Sequence, residues 1–158
     1  MTQIKEYVTW LLARTPLVTF VLIPIVVIAC ELIVRRGVLA FDPWGVPLLV
    51  LGYAQYRLVG NFRTAHGGGG PGIDNPPTRI VTEGPYRLTR NPMYLGHLIF
   101  FAGLALTLGS WIGAAVFAFH AVWFDRRVRE DEARLADLFG DDYRDYCRRV
   151  KRWIPGVL

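Results

Sequence analysis

Over its longest uninterrupted stretch this 158-residue chain carries no charge: from Asn91 to Phe124 there is no Lys, Arg, Asp or Glu. Such a run excludes a pair of water-exposed helices and predicts helices that enter a membrane. Cysteine is nearly absent too. Cys30 lies in an apolar run and Cys147 in a basic tail, so the two thiols are expected on different sides of the bilayer plane or at different depths and make no disulfide framework. His66 has no Cys or carboxylate at ligand spacing, which leaves no expected metal site. No Gly-x-Gly-x-x-Gly follows a strand, so the signature of soluble dinucleotide binding is missing. The first apolar run ends on Glu31 and Arg35 without a small-residue cleavage site, and no cleaved leader is expected.

What is present is apolar and basic: 53% hydrophobic residues, 13% aromatic, and a net charge of +5. The basic residues flank apolar segments instead of forming a patch. Anionic lipid headgroups and the positive-inside rule account for them better than nucleic acid does. Length predicts one domain over residues 1–158, with N-terminal spans and a Gly-rich loop over 1–79 and a motif-bearing half over 80–158. No protein partner is indicated.

Along the chain, Ile4 to Arg14 has the spacing of an interfacial amphipathic helix. Leu17 to Val34 is a first transmembrane candidate, with a kink expected at Pro24 and Glu31 reaching to the interface. Trp44 to about Val59 is a second, with Gln55 and Arg57 either facing a polar cavity or, the preferred reading, at the interface. Asn61 to Glu83 reads as a polar loop whose glycines, His66 to Gly72, exclude regular structure. That loop is either a connector or a lid. The uncharged run is too long for one span, and Leu108-Gly109-Ser110-Trp111 is the expected turn of a hairpin. Its small residues, Gly96, Gly103 and Gly113 among them, allow close packing. The expected fold is therefore all-α: a polytopic membrane protein with about four transmembrane helices, a cytoplasmic loop and C-terminal amphipathic helices. Arg and Lys counts put both termini and the long loop on the cytoplasmic side.

Asn91-Pro92 reads as a helix start, Asn as N-cap and Pro at the first position. Arg87 and Arg90 add charge to a helix end that already favours anions, and Tyr94 and His97 lie one turn further in. From Asp125 the chain turns into a charged helix with Val128, Glu132, Leu135 and Phe139 on one face. Glu132 is the single charge in that stripe. It either pairs with an Arg from the loop or accepts hydrogen bonds from a ligand. Asp131 and Glu130 point elsewhere. Gly140 stops the helix, and Tyr143, Tyr146, Val150 and Trp153 share a face of the next, read as packing.

The pattern Gly84-Pro85-Tyr86-Arg87, then Arg90-Asn91-Pro92-Met93-Tyr94-Leu95-Gly96, resembles the integral-membrane methyltransferases of the isoprenylcysteine carboxyl methyltransferase and phospholipid N-methyltransferase group. Glu130-Asp131-Glu132-Ala133-Arg134-Leu135, Phe139-Gly140, Tyr143, Tyr146, Val150 and Pro155 resemble the same group's C-terminal signature, so the likeness covers roughly Ile80 to Pro155. One departure is Asn91, where many members carry His. Asn caps a helix and donates hydrogen bonds but does not titrate near neutral pH.

The resemblance implies S-adenosyl-L-methionine as cofactor and methyl transfer, at the membrane–cytoplasm boundary, to a lipophilic acceptor reaching the site from the bilayer. That acceptor is a carboxylate, as in isoprenylcysteine, or another lipid-like group. Such a displacement needs alignment and exclusion of water, without metal or covalent intermediate. On this reading Tyr86, Arg87, Arg90, Asn91, Pro92, Tyr94, Leu95, His97 and Glu132 bind the cofactor. Glu132 and Arg127 are the catalytic candidates, Arg127 with Arg126 orienting an acidic headgroup. Two other classes stay open. One is an NADPH-dependent membrane sterol-type reductase, which shares an Arg-x-Pro-x-Tyr region. The other is a non-catalytic membrane scaffold with Arg87, Arg90 and Glu132 as a structural ion-pair network.

Overall fold

A computed structural model describes residues 15–68 and 77–154. The proposed interfacial helix before Arg14, most of the Gly-rich segment read as a connector or lid, and Pro155 lie outside the described residues. The architecture is all-helical, with no strand among the described residues.

A turn of α-helix at Thr15–Leu17 leads into a π-helical turn at Val18–Leu22 and then into α1, Ile23–Val34. The distortion expected at Pro24 falls one turn earlier, as the π turn. Proline has no N–H for the carbonyl four residues back and clashes with it, so the preceding backbone widens. Helix α2 is Val46–Gly67, α3 is Pro92–Thr107 and α4 is Trp111–Arg149, with left-handed Gly140 breaking α4 near its end. The hairpin turn falls at the expected place: Ser110 caps α4 by accepting from Gly113 N at 2.8 Å.

Close approach of backbones orders the bundle. Helices α2 and α3 run antiparallel, and a Cβ on Gly52 would lie 2.5 Å from Phe100 N, one on Gly103 2.7 Å from Leu49 N. These glycines let the two backbones touch. Gly113 meets Ala105 in the same way between α3 and α4. Helix α1 packs against α4, its buried Val27 clustered with Leu104 and Leu108 at the end of α3, while Phe20, in the π turn before α1, meets Tyr56 and Phe100. The innermost cluster is Tyr94, Phe101, Phe124 and Val128.

Four sequence expectations change. Helix α2 continues past Val59 to Gly67, so residues 61–67 are helix and not loop; polar composition there marks an exposed face, with Thr64 and His66 bonding back to the carbonyls of Gly60 and Phe62. Glu31 does not reach out to an interface. It is 3% exposed, pairs with Arg35 at 2.6 Å, and accepts from Ser110 Oγ at 2.5 Å. Gln55 faces inward and donates to the Pro92 carbonyl at 2.9 Å. Finally, among the described residues no helix is long and apolar enough to cross a membrane, against the expected four. The reason is local: the π turn leaves α1 with 12 residues, α3 has 16, and the apolar part of α4 gives way to charge at Asp125.

Candidate functional site

The end of the bundle where α2 finishes and α3 begins carries a cavity of about 100 Å³. Its inner wall is the first turn of α3, Met93 and Tyr94, with Asn91 and Arg90 just before it. Pro92 opens that turn without a side-chain cap from Asn91. Asn91 Nδ2 instead donates toward Glu132 Oε1 at 3.5 Å and the Arg152 carbonyl at 3.3 Å, because nearby acceptors compete with capping.

A second wall is one face of α4: Asp131, Arg134, Leu135 and Phe139. Beyond the break at Gly140 the chain folds back and adds Tyr143 and Tyr146. Across from them stand Arg63 of α2, Ile80, Val81 and Tyr86. Tyr86 belongs to a 3-10 turn, Gly84–Arg87, held by Tyr146 Oη donating to its carbonyl at 2.8 Å. A second hollow, about 280 Å³, adjoins across Ile80 and Val81 and reaches His66 and Glu83.

The electrostatics are mixed. Tyr94 Oη donates to Asp131 Oδ2 at 2.8 Å, while Arg134 Nη2 holds Oδ1 at 2.9 Å and Arg127 Nε stands 3.7 Å from the same oxygen. Burial pushes the Tyr86 phenol up to about 12, with Arg63 pulling the other way. Burial raises Tyr143 and Tyr146 as well. These rings are neutral donors and not bases at neutral pH. Glu132 lies behind the cavity, its side chain 12% exposed: Arg152 Nη2 and Nε bond Oε2 at 2.7 and 3.1 Å, and Arg90 Nε approaches Oε1 to 3.2 Å.

Of the residues singled out from sequence, Tyr86, Arg90, Asn91 and Tyr94 meet at the cavity. Glu132 does not line it and is met by three side chains of the protein, Arg90 among them. Arg127 stands beside Asp131. Arg87 and Arg126 are exposed, Pro92 is buried beneath the helix start, and Leu95 lies outside the lining. His97 is fully buried among the rings of Phe20, Tyr56 and Phe124, with Nδ1 on the Met93 carbonyl at 2.9 Å.

Sequence reasoning missed Asp131, Arg63, Arg134 and Arg152, and read Tyr143 and Tyr146 as mere packing. Asp131 had a signal. It lies one turn before Leu135 and two before Phe139, on the side of the stripe that the cavity uses. Arg152 and Arg63 had none, since their places depend on the fold.

The chain is similar over limited stretches to named enzymes. It is 35% identical to a protein-S-isoprenylcysteine O-methyltransferase of Schizosaccharomyces pombe, over 48% of this chain and 33% of that protein. It is 38% identical to protein-S-isoprenylcysteine O-methyltransferase B of Arabidopsis thaliana, over 50% of this chain and 41% of that one. Methanethiol S-methyltransferase 1 of Bradyrhizobium diazoefficiens is 36% identical over 53% of this chain and 29% of its own length. The match thus spans less than half the length of each of these relatives. The phospholipid methyltransferase family pattern matches residues 45–142, more than half of the chain and including α2, α3, most of α4 and most of the cavity lining, so the chain belongs to that family.

Proposed function

We propose that this chain transfers a methyl group from S-adenosyl-L-methionine to a lipophilic acceptor at a membrane boundary. The observation that carries the reading is the cavity itself: aromatic walls from Tyr86, Tyr94, Tyr143 and Tyr146 beside one carboxylate, Asp131, and the cations Arg90 and Arg134. Aromatic faces suit a sulfonium, the arginines suit a carboxylate, and Asp131 suits an ammonium or hydroxyl. Chemically the lining fits the cofactor. In volume, about 100 Å³ holds only part of a molecule that size, since ligand pockets start at roughly 300 Å³.

When bound, the cofactor supplies a methyl carbon on a positively charged sulfur. The chain's own residues orient and exclude water. Arg90, Asn91 and Arg134 hold acidic and polar groups, and Ile80, Val81 and Leu135 keep the apolar side dry. Glu132 stands behind the cavity as a charge partner of Arg90 and an acceptor for Asn91. Arg127, beside Asp131, orients the acceptor's polar head. Among the described residues Asp131 is the one carboxylate in the cavity lining, and it already accepts from Tyr94 and Arg134, so the arrangement favours an acceptor that arrives deprotonated.

The membrane placement rests on exposed apolar side chains. Ile33 is 78% exposed and Phe119 64%, and Val26, Val50, Leu58 and Trp123 are exposed too. Patches of that extent mark contact with lipid or partner. The uncharged run points to lipid, with the charged end of α4 and the cavity at the cytoplasmic boundary.

The test is calorimetric binding of S-adenosylhomocysteine to the purified chain, followed by transfer of labelled methyl from the cofactor into an S-farnesylated cysteine and into phospholipid vesicles. Micromolar binding with label in either acceptor is expected. Binding of NADPH instead would overturn the proposal in favour of a reductase, and binding of neither ligand would leave a scaffold.

A further inference from the structure

Glu132 has two oxygens and three suitors, and they do not share it equally. Arg152 takes Oε2 with two donors, Nη2 at 2.7 Å and Nε at 3.1 Å. At Oε1, Arg90 Nε stands at 3.2 Å but off the hydrogen-bond direction, a buried donor without a hydrogen bond, and Asn91 Nδ2 is at 3.5 Å. Only Arg90 and Asn91 of this group line the cavity.

Arg152 is delivered there by a strap of chain after α4. Arg90 N donates to the Lys151 carbonyl at 3.0 Å, Thr89 Oγ1 donates to the Arg152 carbonyl at 2.8 Å, and Trp153 Nε1 donates to Asp125 Oδ1 at 3.0 Å. A two-oxygen fork with one guanidinium is the strongest pairing open to such a carboxylate, and with Arg152 on Oε2 that geometry is closed to Arg90. Were Arg152 missing, Arg90 would be the group drawn into that fork and away from the cavity.

We propose that Arg152 is a positioning residue. By occupying Oε2 of Glu132 it leaves Arg90 with a charge contact at Oε1 but no hydrogen bond there, so that the Arg90 guanidinium stays at the cavity, where it binds a carboxylate of the ligand. This rests on the methyltransferase reading. The carboxylate belongs either to the amino-acid end of the cofactor or to an acidic acceptor. Two arginines against one carboxylate leave a net positive charge at a site where Arg90 and Glu132 are each 12% exposed. Asp125 offsets little of it, standing 3.9 Å from Arg152 with a third of its side chain in solvent.

The experiment is calorimetry on the full chain in detergent micelles with three probes: S-adenosylhomocysteine, 5′-methylthioadenosine, which lacks the amino-acid end, and an S-farnesylated cysteine. Arg152→Gln is expected to weaken S-adenosylhomocysteine about tenfold or more, the worth of a charged hydrogen bond, and methylthioadenosine less than about twofold. Adding Glu132→Gln to Arg152→Gln is expected to restore most of the loss, since Arg90 then has no carboxylate to fall into. Trp153→Phe loosens the strap that delivers Arg152 and should weaken S-adenosylhomocysteine in the same selective way, by less than Arg152→Gln does. A selective loss for the farnesylated acid alone also supports the proposal and assigns the carboxylate to the acceptor. Equal loss of all probes in Arg152→Gln, no loss of any, or a double variant as weak as the single would each overturn it. Such a result leaves the cofactor reading standing as long as the unmodified chain binds S-adenosylhomocysteine. An unmodified chain that binds none of the three overturns both.

Discussion

Tyr94 donates its hydroxyl to Asp131 at 2.8 Å, joining the first turn of α3 to the charged half of α4 across the cavity wall. Thirty-seven residues separate the two in sequence. The bond gives the cavity its shape and takes up one oxygen of the only carboxylate in its lining among the described residues. Tyr94→Phe should keep the fold, with the melting temperature lowered by a few degrees at most. S-adenosylhomocysteine affinity should fall by roughly tenfold, the range for losing a hydrogen bond to a charged group. Asp131→Ala should cost more, because Arg134 and Tyr94 both lose their partner. Calorimetry and thermal melts on the same samples separate binding from stability.

Helices α2 and α3 touch through glycine. Gly52→Val should destabilise by about 1–3 kcal/mol or prevent folding, since the new Cβ would meet backbone atoms that cannot move aside. Gly60→Ala is the contrast: the nearest atom is the flexible Met93 methyl at 3.6 Å, and the change should be neutral or stabilising by up to about 1 kcal/mol. Thermal melts in detergent test the pair.

At the opposite end of the bundle, Glu31 joins Arg35 and the Ser110 cap. Glu31→Ala should lower stability by about 1–3 kcal/mol, because Ser110 and Arg35 lose a charged acceptor, while the affinity of the distant cavity stays unchanged. Ser110→Ala should cost about 1 kcal/mol for the cap, more with its bond to Glu31 included. A change in ligand affinity in either variant would contradict the separation of the two ends.

The strap should respond to acid. The Trp153 indole N–H, then Arg129, hold the Asp125 carboxyl below its ordinary 3.8. A folded value below the unfolded one means that the stabilising contribution is present above the ordinary value. It is lost as pH falls through the lower, folded one. Trp153 fluorescence should therefore report strap release only below about pH 3.8, and Asp125→Asn should abolish that acid transition. The other four tryptophans require the comparison to be made against Trp153→Phe.

Much of this was legible in one dimension. The hairpin turn at Ser110, the start of α3 at Pro92 and the break at Gly140 follow from local chemistry: a cap, a ring without an N–H, and a residue free to take positive φ. The meeting of Tyr86, Arg90, Asn91 and Tyr94 was legible because they lie within nine residues of one another around a helix start. Glu132 was recognised as a carboxylate that needed a partner, and the loop arginine, Arg90, is one of those it found. The side of α4 that meets the cavity was off by one residue, since a helical stripe is wide enough for Asp131 and Glu132 to seem alternatives. Which of them faces the cavity depends on how α4 is rotated against α3, and Gly113 and Ala105 set that contact.

The sequence by itself determined an all-helical chain, an uncharged helical hairpin and a polar motif at its mouth, because caps, breakers and hydropathy act over a few residues. Only the tertiary structure decided that Glu31 and Gln55 turn inward, that α2 outlasts its apolar part, and that Arg152 reaches Glu132. Those outcomes follow from which surfaces are brought within a few ångströms of each other. A charged or amide side chain goes where its hydrogen bonds can be satisfied, and the partners here come from distant parts of the chain.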